Sequence, residues 1–424
     1  MSDDRLFAKC AWRLIPFIMV LYLVNYIDRV NVGFAALTMN QDIGLSPTAY
    51  GFGAGVFFLS YCACHVPATL ILHRTGAKWT VFVILVSWGT LSAACAFAQG
   101  PVSFSVLRFL LGIAESGFVP GMLLYLTYWF PQSYRARCTT DFQAAIPLAF
   151  VAGGPISGLI LGMEGIAGLH GWQWLFLLEG LPAVLLAFAA LRLLPDGPAD
   201  ARFLSDEEKA AIAARLRAED GSEHDNLWRA LRDVRVIALG IAGFGNVLAL
   251  TGIQYWLPQI VQGVGFGNLA TGFLVALPFV VSVPVMVFAG RSSDRRQERI
   301  WHLAVPALMS GACLLIASVA TNDAMLLAGL FLAAIGSTVA VPLLNNLPGL
   351  FLGGAAAAGG IGLYLTLTNL SGFVGPLLVG ILKQQTGGYG LALGALAMGP
   401  LLCAAIVLVL GQRVTPRVAA ATTS

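Results

Sequence analysis

Apolar runs separated by short polar breaks fill most of the chain. A helix needs about 20 apolar residues to cross the hydrocarbon core. Runs of that length fall near 14–37, 50–72, 79–98, 101–129, 139–162 and 172–194, and again near 234–262, 269–290, 300–320, 323–348, 355–383 and 388–411. None alternates in polarity as barrel strands do, and backbone groups in lipid must be satisfied internally. The pattern therefore predicts an all-α membrane protein with twelve transmembrane helices in two six-helix halves. Residues 1–194 form an N-terminal bundle, 195–233 a cytoplasmic linker and 234–424 a C-terminal bundle. The first run is too long for a signal-peptide core and lacks a small-residue cleavage site. The linker opens with Pro195, Gly197 and Pro198, and Ser205 followed by Glu208 is a capping-box pattern. It predicts a short amphipathic helix through about Arg217, lying on the membrane face as a solvated linker rather than a docking site.

Charge placement fixes the orientation. Of the 24 Lys and Arg, 21 lie in the N-terminal segment, the linker, the loops after spans 2, 4 and 8, and the C-terminal tail. All of these share one side if every span crosses; Lys383 alone is on the other, and Arg29 and Arg108 lie within spans. The excess of basic residues on cytoplasmic loops places both termini and the linker in the cytoplasm. The expected location is the cell (inner or plasma) membrane. Charged residues are only 11% of the 424, against about 25% in soluble domains, and hydrophobic residues are 58%. Too few charges remain to cover a water-facing surface. The net charge of +3 is mild and leaves no nucleic-acid footprint. Seven scattered cysteines include no C-x-x-C pair, so no metal site or disulfide is expected. No Ser/His/Asp set or phosphate-cradling loop stands at usable spacing, which argues against an enzyme and against a cofactor.

Two features repeat at one offset. Arg74 and Arg295, in the loops after spans 2 and 8, are 221 residues apart, as are Gly154-Pro155 and Gly375-Pro376 in spans 5 and 11. Duplicated halves with a site between them, near the bilayer midplane, are a common transporter plan.

Ionisable residues in mid-bilayer are costly and persist where they face protein or a water-filled cavity. Asp28 and Arg29 lie deep in span 1, and Arg108 and Glu115 in span 4 share a face, being about two turns and roughly 10 Å apart. Arg29 offers a planar fork of donors suited to a carboxylate, and Glu115 is a protonatable group. If a substrate carboxylate and Glu115 compete for one arginine, protonation of Glu115 releases the arginine to the substrate. The simpler alternative is a buried ionic network that only holds helices together. Glu179 in span 6 is expected to pair with Arg108, Asp141 to be a gate or loop anchor beside Arg135 and Arg137, and His65 to be a hydrogen-bonded structural histidine or a second titrating group. Tyr26, Tyr61, Gln143, Gln254, Tyr255, Asn345, Asn346, Tyr364 and Asn369 are polar or aromatic groups able to line a cavity. The asparagine pair between Pro342 and Pro348 suggests a bent or broken helix. Gly153-Gly154 and the run Gly353–Gly360 allow close helix contact.

These stretches resemble the major facilitator superfamily, in particular its anion:cation symporter branch of tartrate, phthalate and hexuronate permeases. The resemblance rests on Asn25-Tyr-Ile-Asp-Arg-Val-Asn31, Arg108-Phe-Leu-Leu-Gly-Ile-Ala-Glu115, Tyr125-Leu-Thr-Tyr-Trp-Phe-Pro131, Trp174-Leu-Phe-Leu-Leu-Glu-Gly-Leu-Pro182, Asn369-Leu-Ser-Gly-Phe-Val-Gly-Pro376 and Gly290-Arg-Ser-Ser-Asp-Arg295. It implies the major facilitator fold, alternating access, Asp28 and Glu115 as proton-coupling residues, and Arg29, Tyr26 and Tyr61 on substrate. Arg108, Gln143, Tyr364 and Asn369 join them as candidate substrate contacts. Asp294, Arg295 and Arg74 look like cytoplasmic latches that pair across the halves when the cavity opens outward. The chain departs from the family pattern at His65, Thr69, His73 and the Gly362-Leu-Tyr-Leu-Thr-Leu-Thr368 run. The expected function is proton-coupled symport of a small carboxylate, such as a sugar acid or tartrate-like acid, by a monomer. Export or anion exchange of a related solute is the alternative.

Overall fold

The computed structural model describes residues 3–219, 232–347 and 354–421. The middle of the linker, with Pro348 and Gly353, lies outside the described residues. Within them the chain is helical, with no strand. Spans 1 to 3 are Asp3–Asp42, Pro47–Thr75 and Ala77–Ala94, and span 6 is Gly171–Leu193. Spans 7 to 12 are Val234–Gly263, Asn268–Arg296, Ile300–Ser318, Asp323–Asn346, Gly354–Thr386 and Gly390–Ala421. Among the described residues, eleven segments are long and apolar enough to cross a membrane without a sharp bend. Span 2 makes the twelfth: its parts Pro47–His65 and Pro67–Thr75 meet at 52°. Pro67 has no N–H to offer the Ala63 carbonyl and its ring crowds the preceding turn, which accounts for the bend. Large apolar side chains such as Trp79, Val83, Leu185, Phe188, Phe273 and Phe288 are exposed around the outside, as a lipid-facing belt requires.

Two spans are less regular than the apolar pattern predicts. Span 4 is Pro101–Glu115 followed by Phe118–Trp129, and span 5 is Gln132–Gln143 followed by Ala145–Ile160. Proline explains both interruptions: Pro120 cannot donate to the Ser116 carbonyl, nor Pro147 to that of Gln143. The Ser116 N–H bonds the Ile113 carbonyl at 3.3 Å, a tighter turn than the helix around it. The bend expected near Asn345 and Asn346 is not a break within the described residues, since span 10 runs through Pro342 and ends at Asn346.

Span 1 packs against spans 5, 6 and 7, span 2 against 4 and 11, and span 5 against 8. Pairs 1–7, 2–11 and 5–8 join the two halves, and their closest approaches lie toward the end opposite the chain start, here the far end. A methyl group added at Gly154 would sit 2.4 Å from the Gly272 carbonyl oxygen, and one at Gly272 2.3 Å from that of Gly154. Only glycine permits this backbone contact between spans 5 and 8. Gly51 stands against the Pro376 carbonyl and Gly380 against that of Pro47 in the same way. The Tyr50 hydroxyl donates to the Tyr255 carbonyl at 2.8 Å and the Thr48 N–H to Gln384 Oε1 at 3.1 Å. At the near end, among the described residues, no ion pair crosses between the halves.

The linker helix, Asp206–Glu219, starts as its capping box predicts: the Glu208 N–H donates to Ser205 Oγ at 3.3 Å and the Ser205 N–H to Glu208 Oε2 at 2.9 Å. Lys9 pairs with Glu208 at 2.8 Å and Arg215 with Asp3, tying this helix to the start of span 1. The Tyr125 hydroxyl donates to the Pro195 carbonyl at 2.8 Å, and Asp196 accepts from the Lys78 N–H at the start of span 3.

At the far end the loop between spans 5 and 6 closes on span 1. His170 Nδ1 lies 2.7 Å from Glu164 Oε1 and 3.6 Å from Asp42 Oδ2, which also accepts from Trp172 Nε1 at 2.7 Å. The Glu164 bond, with the Asp42 charge, raises the His170 pKa, and the Gly171 N–H followed by His170 lowers that of Glu164. The His170 contribution to stability is thus full below the usual histidine value of about 6.5 and is lost as pH rises through the raised folded value. Glu164 works at the other end of the range, contributing above its unfolded pKa and losing that as pH falls through its lowered one. His170→Gln should flatten the pH dependence of the thermal midpoint on the neutral side, and less on the acid side, where the Gly171 N–H still holds the Glu164 pKa down. The effect is small because the cluster is exposed and screened. An unchanged profile would show that the cluster is not coupled to folding.

Candidate functional site

Asn25, Asp28, Arg29 and Asn31 occupy two turns of span 1 and all are buried. Asn25 and Arg29, one turn apart, present one face. Asn25 Nδ2 donates to Glu115 Oε2 at 2.8 Å and Arg29 Nε to the same oxygen at 2.9 Å. Glu115 is the last residue before the interruption in span 4 and is fully buried, with its Oε1 lacking a hydrogen-bond partner. The arginine's terminal amino groups are not used by this pair, and Nη2 is buried with no partner. The Arg29 guanidinium lies 4.6 Å from the Tyr61 ring centroid, 5.2 Å from Phe57 and 5.4 Å from Tyr26, an aromatic cage that holds a cation without neutralising it. Phe57 also faces the Arg108 guanidinium at 4.8 Å. Arg108 is only 1% exposed, and its Nε and Nη2 have no partner. Two arginines therefore flank one ring while a single carboxylate touches one of them.

Asp28 points to other elements. Its Oδ2 accepts from Trp88 Nε1 at 2.8 Å, and its Oδ1 from Asn31 Nδ2 at 3.0 Å and from the Ser92 hydroxyl. The structure thus gives Asp28 three neutral donors and Glu115 an arginine and an amide. Trp88 and Ser92 were not singled out from the sequence. Their signal is an indole and a hydroxyl one turn apart in span 3, both facing inward. Removing either donor leaves a buried carboxylate oxygen underserved, at about 1–3 kcal/mol each. Trp88→Phe with Ser92→Ala should therefore lower the thermal midpoint clearly more than Ser87→Ala, whose hydroxyl bonds only its own helix. Equal midpoints would mean Asp28 does not depend on these donors.

The expected Glu179–Arg108 pair is absent. Glu179 is buried and accepts from the Ser157 hydroxyl at 2.9 Å through Oε1, while its Oε2 has no partner. The packing explains this: span 6 lies against spans 1 and 3, whereas Arg108 on span 4 faces Phe57 of span 2. Opposite charges in two helices meet only if those faces meet.

Span 7 brings the second half to the site. Gly33, one turn beyond Arg29, would carry a methyl 3.2 Å from the Gln254 carbonyl, and the Tyr255 ring lies 6.2 Å from that of Phe58. Arg29 therefore sits where the two bundles adjoin. The His65 ring lies 4.5 Å from that of Tyr61, tilted by 53°, with its Nε2 unpartnered, on the same face of span 2. Other expected residues lie elsewhere. Tyr364 donates to Asn345 Oδ1 at 2.7 Å and belongs to a separate apolar cluster with Leu239, Leu303 and Leu344. Asn369 is half-buried, and Gln143 and Asp141 are exposed beside the interruption in span 5. Among the described residues, none bonds the side chain of any of these three. Asp294 pairs with Arg299 of its own loop at 3.3 Å, and Arg295 and Arg74 are exposed.

A family model described as Major Facilitator Superfamily matches residues 18–376. A protein of Agrobacterium vitis named "Putative tartrate transporter" is 42% identical over 98% of this chain and 93% of its own length. A protein of Acinetobacter baumannii named "Quinolone resistance transporter" is 41% identical over 89% of this chain and 88% of its own. Among solved structures, a bacterial homologue of the human lysosomal transporter Spinster, in an inward-facing and occupied conformation, superposes with a TM-score of 0.79 at 14% identity, covering 94% of this chain and 96% of that one.

Proposed function

The chain belongs to the Major Facilitator Superfamily and is a multi-pass membrane transporter of a small molecule, and from that premise we propose that it is a proton-coupled symporter of a small carboxylate. The observation that carries this reading is Arg29. Its guanidinium lies at the junction of the two bundles, caged by Tyr26, Phe57 and Tyr61, with one donor on Glu115 and Nη2 unpartnered. A carboxylate reaching Arg29 between the bundles takes the fork, and Glu115 gives it up by accepting a proton. Substrate and proton then cross together, and the charge moved through the low-dielectric core stays small. Asp28, held by neutral donors next door, is the second acid of the relay. Arg108 supplies positive potential through Phe57.

The halves 1–194 and 234–424 act as the two moving bodies, joined by the linker 195–233. With the termini in the cytoplasm of a cell carrying the protein in its inner or plasma membrane, the far end is the outer face. Its closure then describes an inward-facing state, with the Arg74, Asp294 and Arg295 latch unpaired across the halves. The working unit is a monomer, since the site is complete in one chain.

The carboxylate class draws support from the tartrate name of the Agrobacterium vitis relative. Export of an aromatic compound is the second reading, favoured by the resistance name of the Acinetobacter baumannii relative. Purified protein in liposomes separates the two. The symport reading expects tartrate or gluconate to accumulate when the outside is acidic, and accumulation to vanish when the gradient is collapsed. No uptake of either anion, with a quinolone moved against an opposite proton flow, would establish the exporter instead.

A further inference from the structure

A second polar site lies at the far end, away from Arg29. The ends of spans 1, 7 and 11 and the start of span 12 enclose a cavity of about 310 Å³, in the size range of small-ligand pockets. Lys383 and Tyr389 line it, together with the amides of Asn40, Gln41, Gln259 and Gln262. Among the described residues, no acidic one does. The Lys383 ammonium lies 4.4 Å from the Tyr389 ring centroid and 5.0 Å from that of Trp256, and donates to the Tyr389 hydroxyl. Among the described residues it has no carboxylate partner. An ammonium carries three donors, and one of them is engaged here. Gln259 Nε2, on the same wall, is a buried donor without a partner, and Asn40 Oδ1 opposite is a buried acceptor without one, able to take the hydroxyl of a hydroxy acid. Asn40 lies eleven residues beyond Arg29 on span 1, or about 16 Å along the helix, so the two sites do not share a ligand.

Idle donors around a caged cation, with no acid nearby, select an anion. We propose that this cavity is a docking site for small carboxylates at the outer face, occupied before the carboxylate reaches Arg29. The assignment rests on the symport reading for its direction. A bare cation–π clamp that steadies the closed end is the competing account. It would leave the buried Gln259 donor without a partner, and it makes a different prediction.

The experiment measures transport of tartrate or gluconate, whichever the wild type carries faster, in right-side-out and inside-out membrane vesicles. For Lys383→Gln the KM for entry from the outer face is expected to rise about tenfold, as loss of one charge-assisted contact implies. The KM from the inner face should stay put, and Lys383→Arg should restore the outer value. Added salt should raise the outer KM of the wild type and leave that of Lys383→Gln unmoved, because the Debye length falls to about 3 Å at 1 M. An unchanged outer KM in Lys383→Gln overturns the docking site while leaving the symport reading intact. Equal shifts at both faces overturn it in favour of the clamp. A wild type that carries neither anion overturns the symport reading itself, and the docking site with it.

Discussion

Glu115→Gln is expected to keep binding and exchanging the carboxylate but to lose accumulation driven by a pH gradient, with the inside-to-outside ratio falling to one. Glutamine preserves the volume and keeps an oxygen to accept from Asn25 Nδ2 and Arg29 Nε, which converge on one carboxylate oxygen at 2.8 and 2.9 Å. What it removes is the competing charge. In the wild type a deprotonated Glu115 holds Arg29 against the substrate, so each substrate admitted requires a proton. In the variant the guanidinium is available at every pH. Affinity should be equal or tighter and should lose its dependence on proton concentration. Uptake assays with and without a gradient, paired with counterflow exchange, check this. Gradient-driven accumulation surviving in Glu115→Gln would remove Glu115 from the coupling step.

Arg29→Ala is expected to weaken carboxylate binding by roughly 100-fold or more, the value of a pair of charge-assisted hydrogen bonds in a desolvated site. The same change leaves Glu115 without its cation, and breaking a buried pair from one side costs about 3–5 kcal/mol. Lost binding in this variant could therefore reflect lost folding. The double variant Arg29→Ala, Glu115→Gln separates the two effects, because it removes both members of the pair. Its thermal midpoint should recover much of the loss while its affinity does not. Recovery of affinity along with stability would show that Arg29 serves only to hold helices together. Arg29→Lys keeps the charge but not the planar fork and should fall between the wild type and alanine.

Length and hydropathy alone carried twelve spans, because a run of apolar residues long enough to cross a bilayer has few other readings. Ser205 and Glu208 gave the start of the linker helix for a local reason, since both members of a capping box lie within one turn. The interruptions after Glu115 and Gln143 were written in Pro120 and Pro147, but an unbroken apolar background hid them, and proline is common in membrane helices that stay continuous. Tertiary pairing was the hard part. Nothing near Asp28 in the sequence announces Trp88 and Ser92, which come from another helix. Glu179 and Arg108 looked like partners by charge, yet the side of each helix that faces the other is decided by packing around Phe57 and Ser157. Tyr364 and Asn345 were both read as cavity groups and instead bond each other within the second half. Lys383 stood out by being on the wrong side of the charge distribution, and only the cavity around it supplied a use.

The central claim is that substrate and proton exchange places on one arginine. It is tested most directly by adding tartrate, or the best-carried sugar acid, to purified protein in weakly buffered solution and following pH as the site fills. The account predicts that the protein takes up about one proton per carboxylate bound near neutral pH, as linkage requires when Glu115 loses its cation to the ligand, and that Glu115→Gln binds with no uptake. Saturable binding to the wild type with no change in proton content would contradict it.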